Sequence, residues 1–134
     1  MASPPSLLSF HRFCKGFCCF RGSAYGSVIG LADFNHIIVY QTSKESSRLV
    51  HKLKLLKNEK FIVYGFNVNK IDENLTYKKF NENEFYDDLA SAKAVICNGG
   101  FTFISEAISL KKPIYSVPAI GNFEQTLNGY YVER

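Results

Sequence analysis

From His36 onward the apolar residues fall into two alternating periods. "HIIVY" (36–40) and "FIVYGF" (61–66) are short β-branched and aromatic runs, and "KESSRLVHKLKLLKNE" (44–59) between them sets Leu49, Val50, Leu53 and Leu56 at helical spacing. This predicts a strand, a helix and a second strand. "NLTYKKF" (74–80) reads as a short third strand, and "NEFYDDLASAK" (83–93) as a helix with Phe85, Leu89 and Ala92 turned inward. "AVICN" (94–98) is the next strand, followed by the helix "FTFISEAISLKK" (101–112), the strand "PIYSVP" (113–118) and a final helix through "FEQTLNGYYVE" (123–133). Strand and helix alternate throughout, so the expected fold class is α/β. A parallel sheet with helices on both faces and right-handed crossovers satisfies that order.

Residues 1–35 break the pattern. Ser, Gly and Pro are frequent there, no period is clean, and acids are missing up to Asp33. They are expected to form a poorly ordered extension ahead of one domain, residues 36–134. A chain of 134 residues with 46% hydrophobic and 15% aromatic content is enough for a single packed core.

The net charge of +4 changes little, because residues 1–32 hold Arg12, Lys15 and Arg21 while the rest is nearly balanced. A nearly neutral domain gives no electrostatic footprint for nucleic acid. No run approaches the length needed to cross a bilayer. His11, Cys14, Cys18 and Cys19 lack a second half for a standard zinc site, and Cys97 reads as a small buried hydrophobe, so a reducing, cytoplasmic setting is expected.

The candidate chemistry sits where strands end. In an open parallel sheet, ligands bind beyond the carboxyl ends of the strands. Three such loops are legible: Gln41-Thr42-Ser43, Gly65-Phe66-Asn67 and Asn98-Gly99-Gly100. Gly99 and Gly100 allow a sharp turn into the helix beginning at Phe101, whose free N–H groups and dipole suit a phosphate or diphosphate; a plain tight turn explains them too. Glu106, further into that helix, offers two acceptor oxygens for a ribose diol, and is equally readable as a solvated acid. Glu124, Gln125 and Asn128 near the start of the last helix present donors and acceptors for a hydroxyl-rich ring, or serve as polar caps.

Taken together, N-G-G-F-T-x-I-S-E-A-x-x-L-x-K-P-x-x-S-x-P followed by F-E-Q-x-x-N-x-x-Y resembles the C-terminal, donor-binding domain of two-domain GT-B glycosyltransferases. Within them it is most similar to the group related to the N-acetylglucosaminyltransferase that makes lipid II. The resemblance covers residues 36 to 134. It implies a Rossmann-like single GT-B half. Gly99, Gly100, Phe101 and Thr102 would hold the donor diphosphate, Glu106 the ribose, and Glu124, Gln125 and Asn128 the sugar. Thr42, Ser43, Gly65, Phe66 and Asn98 would complete the donor site from the neighbouring loops.

The resemblance also marks what is missing. Relatives bind the acceptor in an N-terminal domain, usually with the catalytic base, and 35 residues cannot form one. The expected function is therefore the donor half of an inverting transferase, taking a uridine diphosphate sugar. It would work with a separate acceptor-binding domain or subunit that brings it to a membrane periphery; a fragmentary reading frame is the other explanation of a half enzyme. The alternative function is a non-catalytic nucleotide-binding remnant or scaffold of the same fold. No general base is assignable, since His51 falls on a helix surface and His36 starts a strand. Helix N–H groups can stabilise a departing diphosphate, so neither metal nor cofactor is expected.

Overall fold

The computed structural model describes residues 35–42 and 46–133. Its elements are β1 (His36–Tyr40), α1 (Ser46–Lys54), β2 (Lys60–Tyr64), β3 (Lys70–Asp72), β4 (Leu75–Tyr77), α2 (Glu82–Ser91), β5 (Ala94–Cys97), α3 (Phe101–Ser109), β6 (Ile114–Ser116) and α4 (Phe123–Glu133). They form one six-stranded sheet of order β3-β4-β2-β1-β5-β6. All neighbours are parallel except β3 and β4, which are antiparallel. The expected alternation therefore holds, with one antiparallel edge added.

Strand alternation divides the core in two. Ile38, Tyr64, Val95, Cys97 and Ile114 face one side, where they pack with Phe85 and Leu89 of α2 and Phe103, Ile104 and Ala107 of α3. Ile37, Val39, Phe61, Val63, Leu75, Ile96 and Tyr115 face the other side, against Leu49, Val50 and Leu53 of α1. Central strands buried on both faces explain the unbroken apolar runs of "HIIVY" and "AVICN".

The antiparallel strand β3 was invisible in the pattern, for a physical reason. Its three residues Lys70, Ile71 and Asp72 present no apolar face to a core, and Ile71 is 78% exposed. Tertiary contacts hold it instead. Lys54 Nζ donates to Asp72 at 2.9 Å, and Glu73 takes a left-handed φ of 57° to close the hairpin. Asn74 Nδ2 then donates to the carbonyls of Leu53, Leu56 and Glu59 at 3.0–3.1 Å, closing the C-terminal end of α1.

Polar contacts fix α2 to the sheet. Asn81 caps its start by accepting from the Glu84 N–H at 3.3 Å, with Glu82 and Glu84 in the first turn where the dipole favours acids. Asp88 Oδ2 accepts from the Tyr64 hydroxyl and from Lys78 Nζ, each at 2.6 Å. Burial first, and then that bond to Asp88, push the Tyr64 phenol far above its ordinary range. At the other end of α2, Lys112 Nζ donates to the carbonyls of Ala90 and Ala92 at 2.6 and 2.8 Å.

Candidate functional site

Because β4, β2, β1, β5 and β6 run parallel, their following loops meet on one edge of the sheet. Two glycines bring those loops together. Gly65 has φ +108°, and a β-carbon there would lie 2.0 Å from the Gln41 carbonyl oxygen, so only glycine lets the β2 loop approach the β1 loop. Gly99 has φ +94°, and its β-carbon would meet the Gln125 carbonyl oxygen at 2.8 Å and Ser116 Oγ at 2.9 Å. Asn128 Nδ2 closes the same corner by donating to the Gly99 carbonyl at 3.0 Å. The β5 turn, the end of β6 and α4 are thus locked at one point.

That corner leaves donors pointing outward. The Gly99 N–H is taken by the Cys97 sulfur, partly offsetting the burial that pushes this thiol up to about 11. Past Gly99, Gly100 is the N-cap of α3 and no side chain caps the helix. A β-carbon on Gly100 would meet nothing within 4 Å. The first turn of α3 therefore has no side-chain cap, and the space beside Gly100 is open at the positive end of the helix dipole, an arrangement that suits an anion. Phe101 and Thr102 flank it, both exposed.

Three polar side-chain atoms on this edge are buried without a hydrogen-bond partner: Gln41 Nε2, Asn98 Oδ1 and Ser116 Oγ. Among the described residues only Asn74 Oδ1 joins them, at the far hairpin. Buried polar atoms are nearly always satisfied, so such a cluster marks a place where something else supplies the partner.

The remaining expected residues arrive in different states. Thr42 Oγ1 accepts from Asn98 Nδ2 at 3.4 Å, which joins two of the loops directly. Ser43 lies outside the described residues. Phe66 leans edge-on against Tyr77, with ring centres 5.6 Å apart. Glu106 is half-buried; its Oε1 accepts from the Tyr86 hydroxyl of α2 at 3.0 Å, which orients the carboxylate and leaves Oε2 free. The same bond raises the Tyr86 phenol. Glu124 is exposed at the start of α4. Gln125 Oε1 accepts from the Ala119 N–H at 2.9 Å, so its amide oxygen holds the loop and its NH2 remains available. Asn122 caps α4 by accepting from the Gln125 N–H at 3.1 Å.

Sequence reasoning missed Ser116 and Tyr86. Ser116 carried a signal, as the one small polar residue interrupting the apolar strand "PIYSVP". Tyr86 carried none, since its role depends on where α2 lies against α3. His51 is exposed on α1, and the His36 imidazole Nε2 sits 2.8 Å from the Asp88 carbonyl oxygen. Among the described residues no group of three or more His, Cys, Asp or Glu is set to hold a metal. His11, Cys14, Cys18 and Cys19 lie outside them. Nor, among the described residues, is any helix long and apolar enough to cross a membrane.

Comparison with known proteins agrees with the fold. Two solved structures share the fold. The glycotransferase of kitacinnamycin superposes with a TM-score of 0.55 at 15% identity, covering 86% of this chain and 32% of that one. The glycosyltransferase SnogD from Streptomyces nogalater gives 0.56 at 16% identity, covering 83% of this chain and 33% of that one. The chain therefore spans about a third of the length of either structure. No curated protein sequence matches it. The sequence profile of glycosyl transferase family 1, by contrast, matches residues 29–134 and so takes in every strand, loop and helix of the site, and it is to this family that the chain belongs.

Proposed function

We propose that residues 36–134 are the donor-binding half of an inverting glycosyltransferase that takes a uridine diphosphate sugar. The acceptor site and the catalytic base come from a separate domain or subunit. The observation that carries this reading is the meeting, on one sheet edge, of the uncapped α3 N-terminus with three orphaned buried polar atoms. Such an edge is built to receive a ligand with both an anion and hydroxyl groups.

Each residue then has a task. The α3 N–H groups stabilise the charge that develops on the departing diphosphate, and being fixed in the helix they need no rearrangement as it develops. Glu106 Oε2, with the carboxylate already aimed by Tyr86, accepts from the ribose diol. Glu124 and the Gln125 amide NH2 meet sugar hydroxyls, while Asn128 keeps α4 against the Gly99 turn. In an inverting displacement the acceptor oxygen attacks from the face opposite the diphosphate, so the base belongs to whatever covers that face. A cytoplasmic workplace, with membrane contact made through the acceptor-binding partner, fits this division.

Calorimetric titration with uridine diphosphate tests the reading. Micromolar to millimolar binding is expected, and Glu106→Ala should lose about 1.5–3 kcal/mol, the worth of hydrogen bonds to a charged group. Wild-type protein that ignores the nucleotide, or a Glu106→Ala variant with unchanged affinity, would refute the assignment. Nucleotide binding without sugar transfer, even with an acceptor domain supplied, would select the non-catalytic alternative.

A further inference from the structure

Two of the orphaned atoms complement each other. Gln41 Nε2 is a donor and Asn98 Oδ1 an acceptor, and the two residues are only 3% and 6% exposed. β1 and β5 pair in parallel as far as Tyr40 and Cys97, so Gln41 and Asn98 are the next residues of the same ladder. The strands end at Tyr40 and Cys97. Ile37, Val39 and Ile96 belong to the α1-side core, so a ladder carried one residue further would set Gln41 and Asn98 in that same row.

Apolar residues of similar size would fill these two positions without leaving any polar atom unmade. The chain instead keeps one buried donor and one buried acceptor that do not bond each other, which restricts what can satisfy both. A phosphate oxygen only accepts; it would take the Gln41 proton but set its negative charge against the Asn98 carbonyl oxygen. An ammonium only donates. A hydroxyl does both at once. The contact from Asn98 Nδ2 to Thr42 Oγ1, at 3.4 Å, lies at the long limit of a hydrogen bond, so exposed Thr42 is a loose cover that an incoming group can displace.

We propose that Gln41 and Asn98 form a hydroxyl-reading pair in the donor cleft, Gln41 Nε2 donating to, and Asn98 Oδ1 accepting from, one hydroxyl of the bound nucleotide sugar. This rests on the donor-binding reading above and adds to it the residues that distinguish a hydroxylated ligand from its deoxy counterpart. The pair is separate from the α3 N-terminus, which takes the diphosphate, and the hydroxyl belongs either to the ribose or to the sugar.

The test uses the full chain with Gln41→Met and Asn98→Leu. Thermal melting is followed without ligand, and calorimetry with uridine diphosphate, its 2′-deoxy and 3′-deoxy forms, uridine diphosphate N-acetylglucosamine and free N-acetylglucosamine. Without ligand both variants should melt at or above the wild type, because each removes an unsatisfied buried polar atom. The wild type should favour the hydroxyl-bearing ligand over its deoxy counterpart, and each variant should reduce that preference by about tenfold, leaving the part owed to Glu106, Glu124 and Gln125. A reduction between uridine diphosphate and its deoxy forms assigns the hydroxyl to the ribose; a reduction between the sugar conjugate and bare nucleotide assigns it to the sugar.

Three results would overturn the pair. A fall in melting temperature of several degrees in both variants would mean that the side chains serve the fold. Equal losses on every ligand would make them an anion cradle. Unchanged affinities would leave only an ordered water between them. Should uridine diphosphate fail to bind even the wild type, the donor reading falls on its own. The pair would then stand only if Gln41→Met weakens binding of free N-acetylglucosamine, and no difference would overturn it as well.

Discussion

Two adjacent glycines, Gly99 and Gly100, do opposite things. Gly99 holds φ +94° with a carbonyl oxygen and a hydroxyl pressed where its β-carbon would be, whereas Gly100 has an ordinary φ of −64° and open space around it. Gly99→Ala should therefore destabilise the fold by about 1–3 kcal/mol, through left-handed strain and the contact with Gln125. Gly100→Ala should change stability by less than about 1 kcal/mol while narrowing the approach to the α3 N–H groups. Urea unfolding of the two variants checks the first contrast, and nucleotide titration of Gly100→Ala checks the second. Equal stability losses would show that the turn does not depend on the Gly99 conformation.

At the scale of elements, α2 matters because it carries Tyr86, the residue that aims Glu106. Its position depends on Asp88, whose Oδ2 accepts from both Tyr64 and Lys78. Asp88→Ala would leave the buried Tyr64 hydroxyl and the half-buried Lys78 ammonium without their acceptor. A loss of about 2–3 kcal/mol is expected. A shorter readout of the same event is nucleotide affinity, which should fall even though Asp88 touches no part of the site. If chemical denaturation shows Asp88→Ala as stable as the parent, the link between sheet and α2 lies elsewhere.

For the whole molecule, the expectation follows from the division of labour proposed above. The chain spans about a third of the length of either solved structure, and on that proposal its sheet edge is one wall of a cleft. Holding an acceptor hydroxyl at attack distance from the anomeric carbon supplies about 7–11 kcal/mol of a displacement barrier, and one wall cannot do that. The purified chain, given uridine diphosphate sugars and lipid-linked acceptors, should release nucleotide only at background rates. Adding an acceptor-domain protein should restore turnover. Robust turnover by the chain alone would contradict the division of labour proposed above.

Much of this was legible in the sequence because its signals are local. Runs such as "HIIVY" and "AVICN" are apolar on both sides of the strand, which by itself demands a sheet covered on both faces. The α4 boundaries, Phe123 to Glu133, follow from the stretch after Gly121-Asn122, where Asn122 caps the helix. The glycines after β2 and β5 announced tight turns at strand ends. What sequence could not state was which polar atoms would find partners. Gln125 and Asn128 hold the Ala119 loop and the Gly99 turn, Tyr86 reaches Glu106 across two helices, and Gln41 and Asn98 are buried directly after the paired ends of β1 and β5. The short edge strand β3 likewise exists through contacts with α1 and β4, having no pattern of its own. Periodicity encodes the elements because it reports which side of each is buried; the site depends on distances between residues far apart in the chain, and only the folded sheet sets those.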